Sequence, residues 1–344
     1  MQYNIHSENR IEKENVKPAN DYLRRFYMKR LYAILLAVFL LTAMLPGCEQ
    51  ISSNDTVSIV CTVFPQYDWV RQILGDKAES FNMTLLLDKR IDLHNYQPSV
   101  DDIVKIATCD LFIYVGGDSD EWVKGVLREA KNKDMVVINM LDTLGHATKQ
   151  EEIIEGMETD GDGDEDGYDE HVWLSLKNAR IFCEAITEAL VSIDEENAGE
   201  FRRNLAAYSE KLSILDTEYQ KAVDASLTRT LLFGDRFPFR YLTDDYGLNY
   251  YAAFAGCSAE TGASFATVVF LAQKMDELEL PCVMVTESSD QTIARTVIQN
   301  TKARNYSICV LDAMQSVSSS DIQNGVTYLS IMERNLETLK EALK

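Results

Sequence analysis

One stretch of the chain, residues 197–226, reads NAGEFRRNLAAYSEKLSILDTEYQKAVDAS. Apolar side chains recur in it every three or four residues, at Phe201, Leu205, Tyr208, Leu212, Leu215, Tyr219 and Val223. This spacing predicts an amphipathic helix, which at about 1.5 Å per residue would be roughly 45 Å long. A helix of this length favours a rigid strut between two halves of the protein over a flexible hinge.

Strand-like and helical segments alternate on both sides of this helix. The predicted strands are 57–63, 81–87, 111–115 and 135–139 before it, and 230–233, 249–254, 282–286 and 308–311 after it. The helical patterns that separate or follow these strands begin at Tyr67, Ser99, Asp120 and Leu176, and then at Pro238, Phe265, Thr292 and Tyr328. Such alternation is typical of parallel sheets covered by helices. We therefore predict an α/β protein with two parallel-sheet α/β lobes, at 57–195 and 228–344, bridged by a long rigid helix at 196–227.

Residues 1–47 have the pattern of an export leader. Basic residues precede an apolar run that is too short to span a bilayer comfortably. The run ends in Leu45-Pro-Gly-Cys48, which resembles the lipobox of bacterial lipoproteins. That resemblance implies cleavage before Cys48 and a lipid on its sulfur, which would anchor an extracytoplasmic body to the cell membrane. An ordinary signal peptide and an uncleaved anchor helix are the alternatives, and both also export the rest of the chain.

The charge balance limits the partners. The chain has 33 Lys and Arg against 55 Asp and Glu, a formal net charge of −22. This charge argues against nucleic acid and against an anionic membrane surface, and it is compatible with gathering cations. The six cysteines after Cys48 include no CxxC pair. Because a body of this size can be stable without disulfides, we expect free thiols.

The segment 151–170 interrupts the alternation within the first lobe. Eleven of its twenty residues are acidic and none is basic. Self-repulsion and several glycines predict a disordered loop. The loop would either raise the local concentration of cations or act as a solvated spacer.

Two histidines carry most of the functional information. His94 lies in Asp92-Leu-His-Asn-Tyr-Gln-Pro-Ser99, and His171 lies in Asp169-Glu-His-Val-Trp-Leu-Ser175. Imidazole is the commonest side-chain ligand for metals, and two imidazoles from distant segments with carboxylates nearby suit a divalent-metal site. The alternative for each is an ordinary polar residue of a loop.

Acidic residues follow the strands of the second lobe. Asp235 and Arg236 follow its first strand, and Asp312 follows its last. Open parallel sheets bind ligands at the carboxyl ends of their strands. Singly, each acid is more typical of a helix cap, but with His94 and His171 the two acids make a reasonable four-ligand set between the lobes.

The body resembles the solute-binding lipoproteins of ABC transporters for zinc and manganese, the family called cluster A-I or cluster 9. The resemblance covers about residues 57–344, in family order. It rests on the segments Phe64-Pro-Gln-Tyr-Asp-Trp69, His94-Asn-Tyr-Gln-Pro-Ser99, Leu111-Phe-Ile-Tyr-Val-Gly-Gly117 with Trp122, His171-Val-Trp173, Phe239-Arg-Tyr241 with Tyr246-Gly-Leu248, Thr286-Glu-Ser288, and Asp312. It implies two lobes that hold one metal ion between them, and delivery of that ion to a membrane permease driven by an ATPase. We expect a monomer.

The resemblance also implies ligands. It assigns His94, His171 and Asp312, but the family's third ligand position falls on Arg236, whose guanidinium cannot bind a cation. We therefore expect Asp235 to take that position, with Arg236 paired to an acid such as Glu260 or Glu287. Glu287 is an alternative ligand, or a group that orients one.

A mixed set of histidines and carboxylates suits both Zn²⁺ and Mn²⁺, and the general order of affinities favours Zn²⁺; a manganese- or iron-specific receptor of the same family is the alternative. The sequence contains no HExxH motif, GxSxG elbow or phosphate loop, which argues against a metallohydrolase and for a binding protein without chemistry of its own. Surface adhesion is a third hypothesis, and no residue pattern in the sequence supports it or argues against it.

Overall fold

A computed structural model describes residues 24, 28, 56–158, 167–258 and 262–344. The predicted lipidation site at Cys48 and the centre of the acidic segment lie outside these residues, as does Glu260. Residues 56–344 form one compact unit. No helix within the described ranges has both the length and the apolar character that are needed to cross a membrane.

The first lobe is built on a four-stranded parallel sheet. Its spatial order is β2-β1-β3-β4, and its strands are β1 (Ser58–Cys61), β2 (Asn82–Leu85), β3 (Leu111–Tyr114) and β4 (Val136–Asn139). Its helices are α1 (Phe64–Leu74), α2 (Val100–Thr108), α3 (Val123–Arg128), α4 (Met140–Leu144) and α5 (Leu176–Ile193). Helix α2 begins where the sequence predicts, because the Ser99 hydroxyl accepts from Asp102 N at 3.2 Å while the Asp102 carboxylate accepts from Ser99 N at 2.9 Å.

The second lobe repeats this topology. Its sheet has the order β6-β5-β7-β8, with strands β5 (Thr230–Phe237), β6 (Asn249–Ala255), β7 (Cys282–Thr286) and β8 (Ser307–Leu311). Its helices are α7 (Arg240–Tyr246), α8 (Phe265–Glu277), α9 (Thr292–Asn300), α10 (Ser319–Gln323) and α11 (Tyr328–Ala342). The apolar strands are predicted well because strands covered by helices on both faces read as continuous apolar runs.

A single helix, α6 (Ala198–Asp224), connects the two sheets. It has 27 residues, and the predicted apolar face is buried at every position except Leu205, which is partly buried. Tyr219 on this face donates a hydrogen bond from its hydroxyl to the carbonyl of Met332 in α11 at 2.6 Å. The prediction of two parallel-sheet α/β lobes joined by one long helix is confirmed.

The last helix of the chain, α11, also contacts the first lobe. Its first residue, Tyr328, donates its backbone N–H to the buried carboxylate of Asp68 in α1 at 2.9 Å. The Tyr328 hydroxyl donates to the carbonyl of Trp173 at 2.7 Å. The two lobes are therefore held together both by α6 and by buried polar contacts of α11.

The described part of the acidic segment differs from the expected disordered loop. Glu158 N donates to the carbonyl of Ala253 in β6 at 2.9 Å, and Glu152 forms an ion pair with Arg240 at 3.0 Å. Gly156 has a φ of +89° and packs against the Phe270 ring so closely that a Cβ there would lie 2.1 Å from it. Residues 151–158 thus run along the second lobe, because specific pairings with its backbone and side chains outweigh the mutual repulsion of the acids.

Candidate metal centre

His171 is fully buried and its ring is held in one orientation. It precedes the short 3₁₀ turn Val172–Leu174. The Asp169 carboxylate accepts from His171 N at 2.8 Å and lies 3.0 Å from Nδ1 of the ring. A proton on Nδ1 that is donated to Asp169 leaves Nε2 as the atom that can bind a metal, the usual arrangement of a ligand histidine with its supporting carboxylate.

His94 is positioned in the same way from another segment of the first lobe. It lies in the 3₁₀ turn Leu93–Asn95, where the Asp92 carboxylate accepts from His94 N at 3.0 Å. Nδ1 of the ring lies 2.8 Å from the Ser119 hydroxyl and 3.5 Å from a carboxylate oxygen of Glu170. A proton on Nδ1 that is donated to either of these oxygens leaves Nε2 of His94 as the ring nitrogen that can bind a metal.

The Nε2 atoms of the two rings lie next to each other. Nε2 of His94 lies 3.2 Å from Nε2 of His171. Two nitrogens bound to one tetrahedral zinc ion at 2.0–2.1 Å would be about 3.3 Å apart. The pair is therefore spaced to bind one ion with little movement.

Opposite pKa shifts accompany this pairing. Burial, together with the neighbouring His171, lowers the pKa of His94 to about 3, against the pull of Asp92. Burial also acts to lower the pKa of His171, but the carboxylates of Asp169, Glu170 and Asp92 outweigh it and the pKa is raised. In the metal-free site, His171 Nε2 therefore carries a proton that the neutral His94 ring can accept, and an ion that binds His171 displaces this proton.

A third group from the second lobe completes the cluster. The Sγ of Cys257, which follows β6, and one nitrogen each of His94 and His171 all lie within 4.8 Å of one another. Sequence reasoning missed this cysteine because a single Cys after a strand carries no metal-binding spacing. Its position directly after Gly256, at the carboxyl end of a parallel strand, is the signal that points to it.

Asp235 does not join this group. It lies in β5, which continues to Phe237 through a shift of register between Phe233 and Arg236, so Asp235 is not in a loop after the strand as expected. One carboxylate oxygen accepts from Thr286 N at 3.0 Å and Thr286 Oγ1 at 2.8 Å, and the other accepts from Arg236 N at 2.8 Å. These bonds turn the carboxylate towards β7.

Arg236 pairs with an acid, as expected, but within the described residues this acid is Asp92 and not Glu287. Its Nη2 donates to Asp92 Oδ2 at 2.6 Å across the two lobes. Gln315, with its amide oriented to satisfy its neighbours, donates to Asp92 Oδ1 at 2.8 Å and accepts from His171 Nε2 at 2.9 Å. Gln315 is thus a second residue near the histidines that the sequence did not indicate.

Asp312 and Glu287 lie next to each other but outside the cluster. Glu287 accepts from Ala313 N at 2.8 Å and from Gln315 N at 2.9 Å. Asp312 accepts from Met314 N at 2.8 Å and lies 3.7 Å from Arg334. Both carboxylates therefore hold the loop after β8, which carries Gln315 to the histidines.

A cavity of about 420 Å³ opens beside the cluster, and its lining includes His94, Asp235, Arg236, Cys257 and Asp290. His171, which is fully buried, is not part of this lining. The six cysteines of the described residues are free thiols, as expected.

Two α/β lobes with a fully buried imidazole, a partly buried imidazole and a thiol near their boundary define a two-lobed protein with a candidate metal centre. The chain belongs to the ZnuA family, described as zinc-uptake complex component A, periplasmic, which matches residues 59–342. This confirms the family resemblance seen in the sequence.

Named relatives agree with this assignment. The chain is 30% identical over 316 residues to the zinc-binding lipoprotein AdcA of Streptococcus pneumoniae, covering 90% of this chain and 60% of AdcA. It is 26% identical over 299 residues to the high-affinity zinc uptake system protein ZnuA of Bacillus subtilis, covering 85% of this chain and 89% of that protein. The chain thus spans about 60% of the length of the first curated relatives that it matches.

Solved structures show the same fold. The Zn(II)-bound ZnuA-like domain of Streptococcus pneumoniae AdcA superposes with a TM-score of 0.65 at 27% identity, covering 84% of this chain and 99% of that domain. The periplasmic zinc-binding protein TroA of Treponema pallidum superposes with a TM-score of 0.68 at 20% identity, covering 84% of this chain and 99% of TroA, which supports the fold alone.

Proposed function

We propose that this protein is an extracytoplasmic zinc receptor that takes up Zn²⁺ between its lobes and passes it to the membrane permease of an ABC transporter. The observation that carries the proposal is the 3.2 Å separation of the His94 and His171 Nε2 atoms at the lobe boundary, in a chain of the zinc-uptake family. AdcA and ZnuA, its named relatives, are a zinc-binding lipoprotein and an uptake protein. The function is therefore capture and release of an ion and not catalysis.

Zinc suits this donor set better than manganese. Imidazole nitrogens bind zinc readily, and at most nitrogen-containing sites the affinity order also places zinc above manganese. Manganese prefers carboxylate and carbonyl oxygens, and the Asp235 and Asp312 carboxylates are engaged by hydrogen bonds in the second lobe. We infer that these two residues shape the site and that the two histidines bind the ion.

The direct experiment is elemental analysis of the purified full chain, followed by competitive titration with Zn²⁺ and Mn²⁺. We expect one zinc per chain and tighter binding of zinc than of manganese. His94→Ala and His171→Ala should each lower zinc affinity by more than about 100-fold, beyond the loss typical of a residue that only supports a ligand.

His146→Ala is the matched control, because His146 is exposed in the turn Gly145–Ala147 and should leave affinity unchanged. Equal affinity of the wild type and of both ligand variants would overturn the proposal. Tighter binding of manganese than of zinc would instead assign the protein to manganese uptake.

We propose further that the mature body is a monomer anchored to the membrane through a lipid on Cys48. The support is the Leu45-Pro-Gly-Cys48 motif together with the lipoprotein AdcA as a relative. Cys48→Ala should move the protein from the membrane fraction to the soluble fraction, while Cys109→Ser should stay with the membrane. An unchanged distribution of Cys48→Ala would contradict the anchor.

A further inference from the structure

The position that the family resemblance gives to a third ligand is filled differently in this chain. Arg236 stands there, and its guanidinium is committed to Asp92 at 2.6 Å. Asp235, the neighbouring carboxylate, accepts from Thr286 N, Thr286 Oγ1 and Arg236 N. These bonds hold Asp235 against Thr286 of β7, and Asp235 is not part of the group of donors that lie within 4.8 Å of one another around His94 and His171.

Cys257 is the donor in this group that comes from the second lobe. Its Sγ, one ring nitrogen of His94 and one ring nitrogen of His171 lie within 4.8 Å of one another. In a tetrahedral zinc site with Zn–S of about 2.3 Å and Zn–N of about 2.05 Å, the sulfur and each nitrogen are about 3.6 Å apart. The upper limit of 4.8 Å in this structure thus exceeds the spacing of a bound set by about 1.2 Å.

The backbone around Cys257 is organised for this approach. Its N–H donates to a carboxylate oxygen of Glu151 at 2.7 Å, which fixes the turn after β6 to the acidic segment. The preceding residue is Gly256, where a Cβ would lie 2.8 Å from the carbonyl oxygen of Phe237 and 3.2 Å from Nδ1 and Cε1 of His171. The absence of a side chain at residue 256 lets the turn come directly against the His171 ring.

We propose that Cys257 binds the zinc ion as a thiolate, so that the site is His94, His171 and Cys257 and the sulfur makes it selective for zinc over manganese. The inference rests on the proposed zinc receptor function and specifies its ligands. As the sulfur–zinc bond forms, the thiol releases its proton to solvent. A thiolate is a soft donor that suits zinc and disfavours manganese, which prefers oxygen. The Gln315 amide oxygen, 2.9 Å from His171 Nε2, borders the remaining side of the ion.

The test is a titration of the full chain with Co²⁺, which reports a bound thiolate through a sulfur-to-cobalt charge-transfer band in the near ultraviolet. We expect this band in the wild type and its loss in Cys257→Ser. Zinc displaces cobalt in the same cuvette, so the zinc affinity of each variant is measured alongside. Cys257→Ser should lower zinc affinity by more than about 100-fold, the upper limit for a residue that only orients a ligand, and should change manganese affinity much less.

Two variants complete the experiment. Cys109→Ser is the control, because Cys109 Sγ donates to the carbonyl of Ile106 at 3.3 Å, a bond that serine can also make. Cys257→His should bind zinc tightly again, unlike Cys257→Ser, and should lack the charge-transfer band. This result would show that substitution at residue 257 leaves the fold intact and that a side chain there reaches the ion.

The outcomes separate the two proposals. A wild type that binds zinc tightly with no charge-transfer band, or a Cys257→Ser variant with unchanged zinc affinity, would overturn the role of Cys257 and leave the receptor function standing. A wild type that binds no zinc would overturn both.

Discussion

Arg236 of β5 and Asp92 of the first lobe form an ion pair across the lobe boundary, with Nη2 and Oδ2 2.6 Å apart. The other oxygen of Asp92 accepts from the backbone of His94. The pair thus connects the second lobe to the turn that carries one of the histidines. Burial opposes ionisation of Asp92, but the charge and hydrogen bond of Arg236 and the backbone N–H of His94 lower its pKa, so the carboxylate stays charged.

Breaking this pair should destabilise the protein. Arg236→Gln and Asp92→Asn should each lower the free energy of unfolding by about 1–3 kcal/mol, because each leaves a partly buried group without its charged partner. In a double-mutant cycle by urea denaturation, the two changes should be strongly non-additive.

The exposed pair Arg202–Glu188, at 3.1 Å, is the control for the cycle and should give a coupling energy below about 1 kcal/mol. A coupling energy between Arg236 and Asp92 no larger than that of the control would show that the inter-lobe pair does not hold the His94 turn.

A second contact between the lobes depends on Asp68. Its buried carboxylate accepts from Tyr328 N at 2.9 Å and lies 3.3 Å from the Gln72 amide nitrogen. Asp68→Ala should cost about 1–3 kcal/mol, since the buried N–H of Tyr328 loses its acceptor. Asp68→Asn keeps an acceptor for this N–H and should destabilise the protein less. Thermal unfolding of the two variants measures the difference in stability. If Asp68→Ala were as stable as Asp68→Asn, the contact would not contribute to stability.

Stability should depend on pH through Glu287. Burial, and then the nearby Asp312, raise the pKa of Glu287 to about 7. Because the folded state binds this proton more tightly than the unfolded chain, the contribution of Glu287 to stability is complete below its ordinary value near 4.5. It is lost as the pH rises through 7.

Glu287→Gln should therefore flatten the dependence of unfolding free energy on pH between 4.5 and 7. Each unit of pKa difference corresponds to about 1.4 kcal/mol. Urea denaturation of the metal-free protein across this range measures the effect, with the exposed Glu196→Gln as the control. Parallel curves for the wild type and Glu287→Gln would contradict the prediction.

Gly256 should be required for metal binding. In Gly256→Ala the new methyl group would press on the Phe237 carbonyl at 2.8 Å and on the His171 ring at 3.2 Å. Displacement of a ligand ring typically costs about 10–100-fold in metal affinity, and we expect a loss in this range by competitive zinc titration. Gly125→Ala, whose Cβ would meet nothing within 4 Å, should bind zinc normally.

The sequence predicts the fold better than it predicts the site. Strands such as Cys282–Thr286 and the long helix Ala198–Asp224 follow directly from local apolar patterns. The positions of Cys257 and Gln315 depend instead on how two distant loops of the second lobe pack against His171. The register shift in β5 and the hydrogen bonds of Asp235 to Thr286 likewise have no local signal in the sequence.

The central claim is that His94 and His171 bind one zinc ion between the lobes. Calorimetric titration of the wild-type chain and of the double variant His94→Ala/His171→Ala with zinc, in the presence of a competing chelator, tests it most directly. We expect one tightly bound zinc in the wild type and no binding that competes with the chelator in the double variant. Equally tight binding of zinc by both proteins would contradict it.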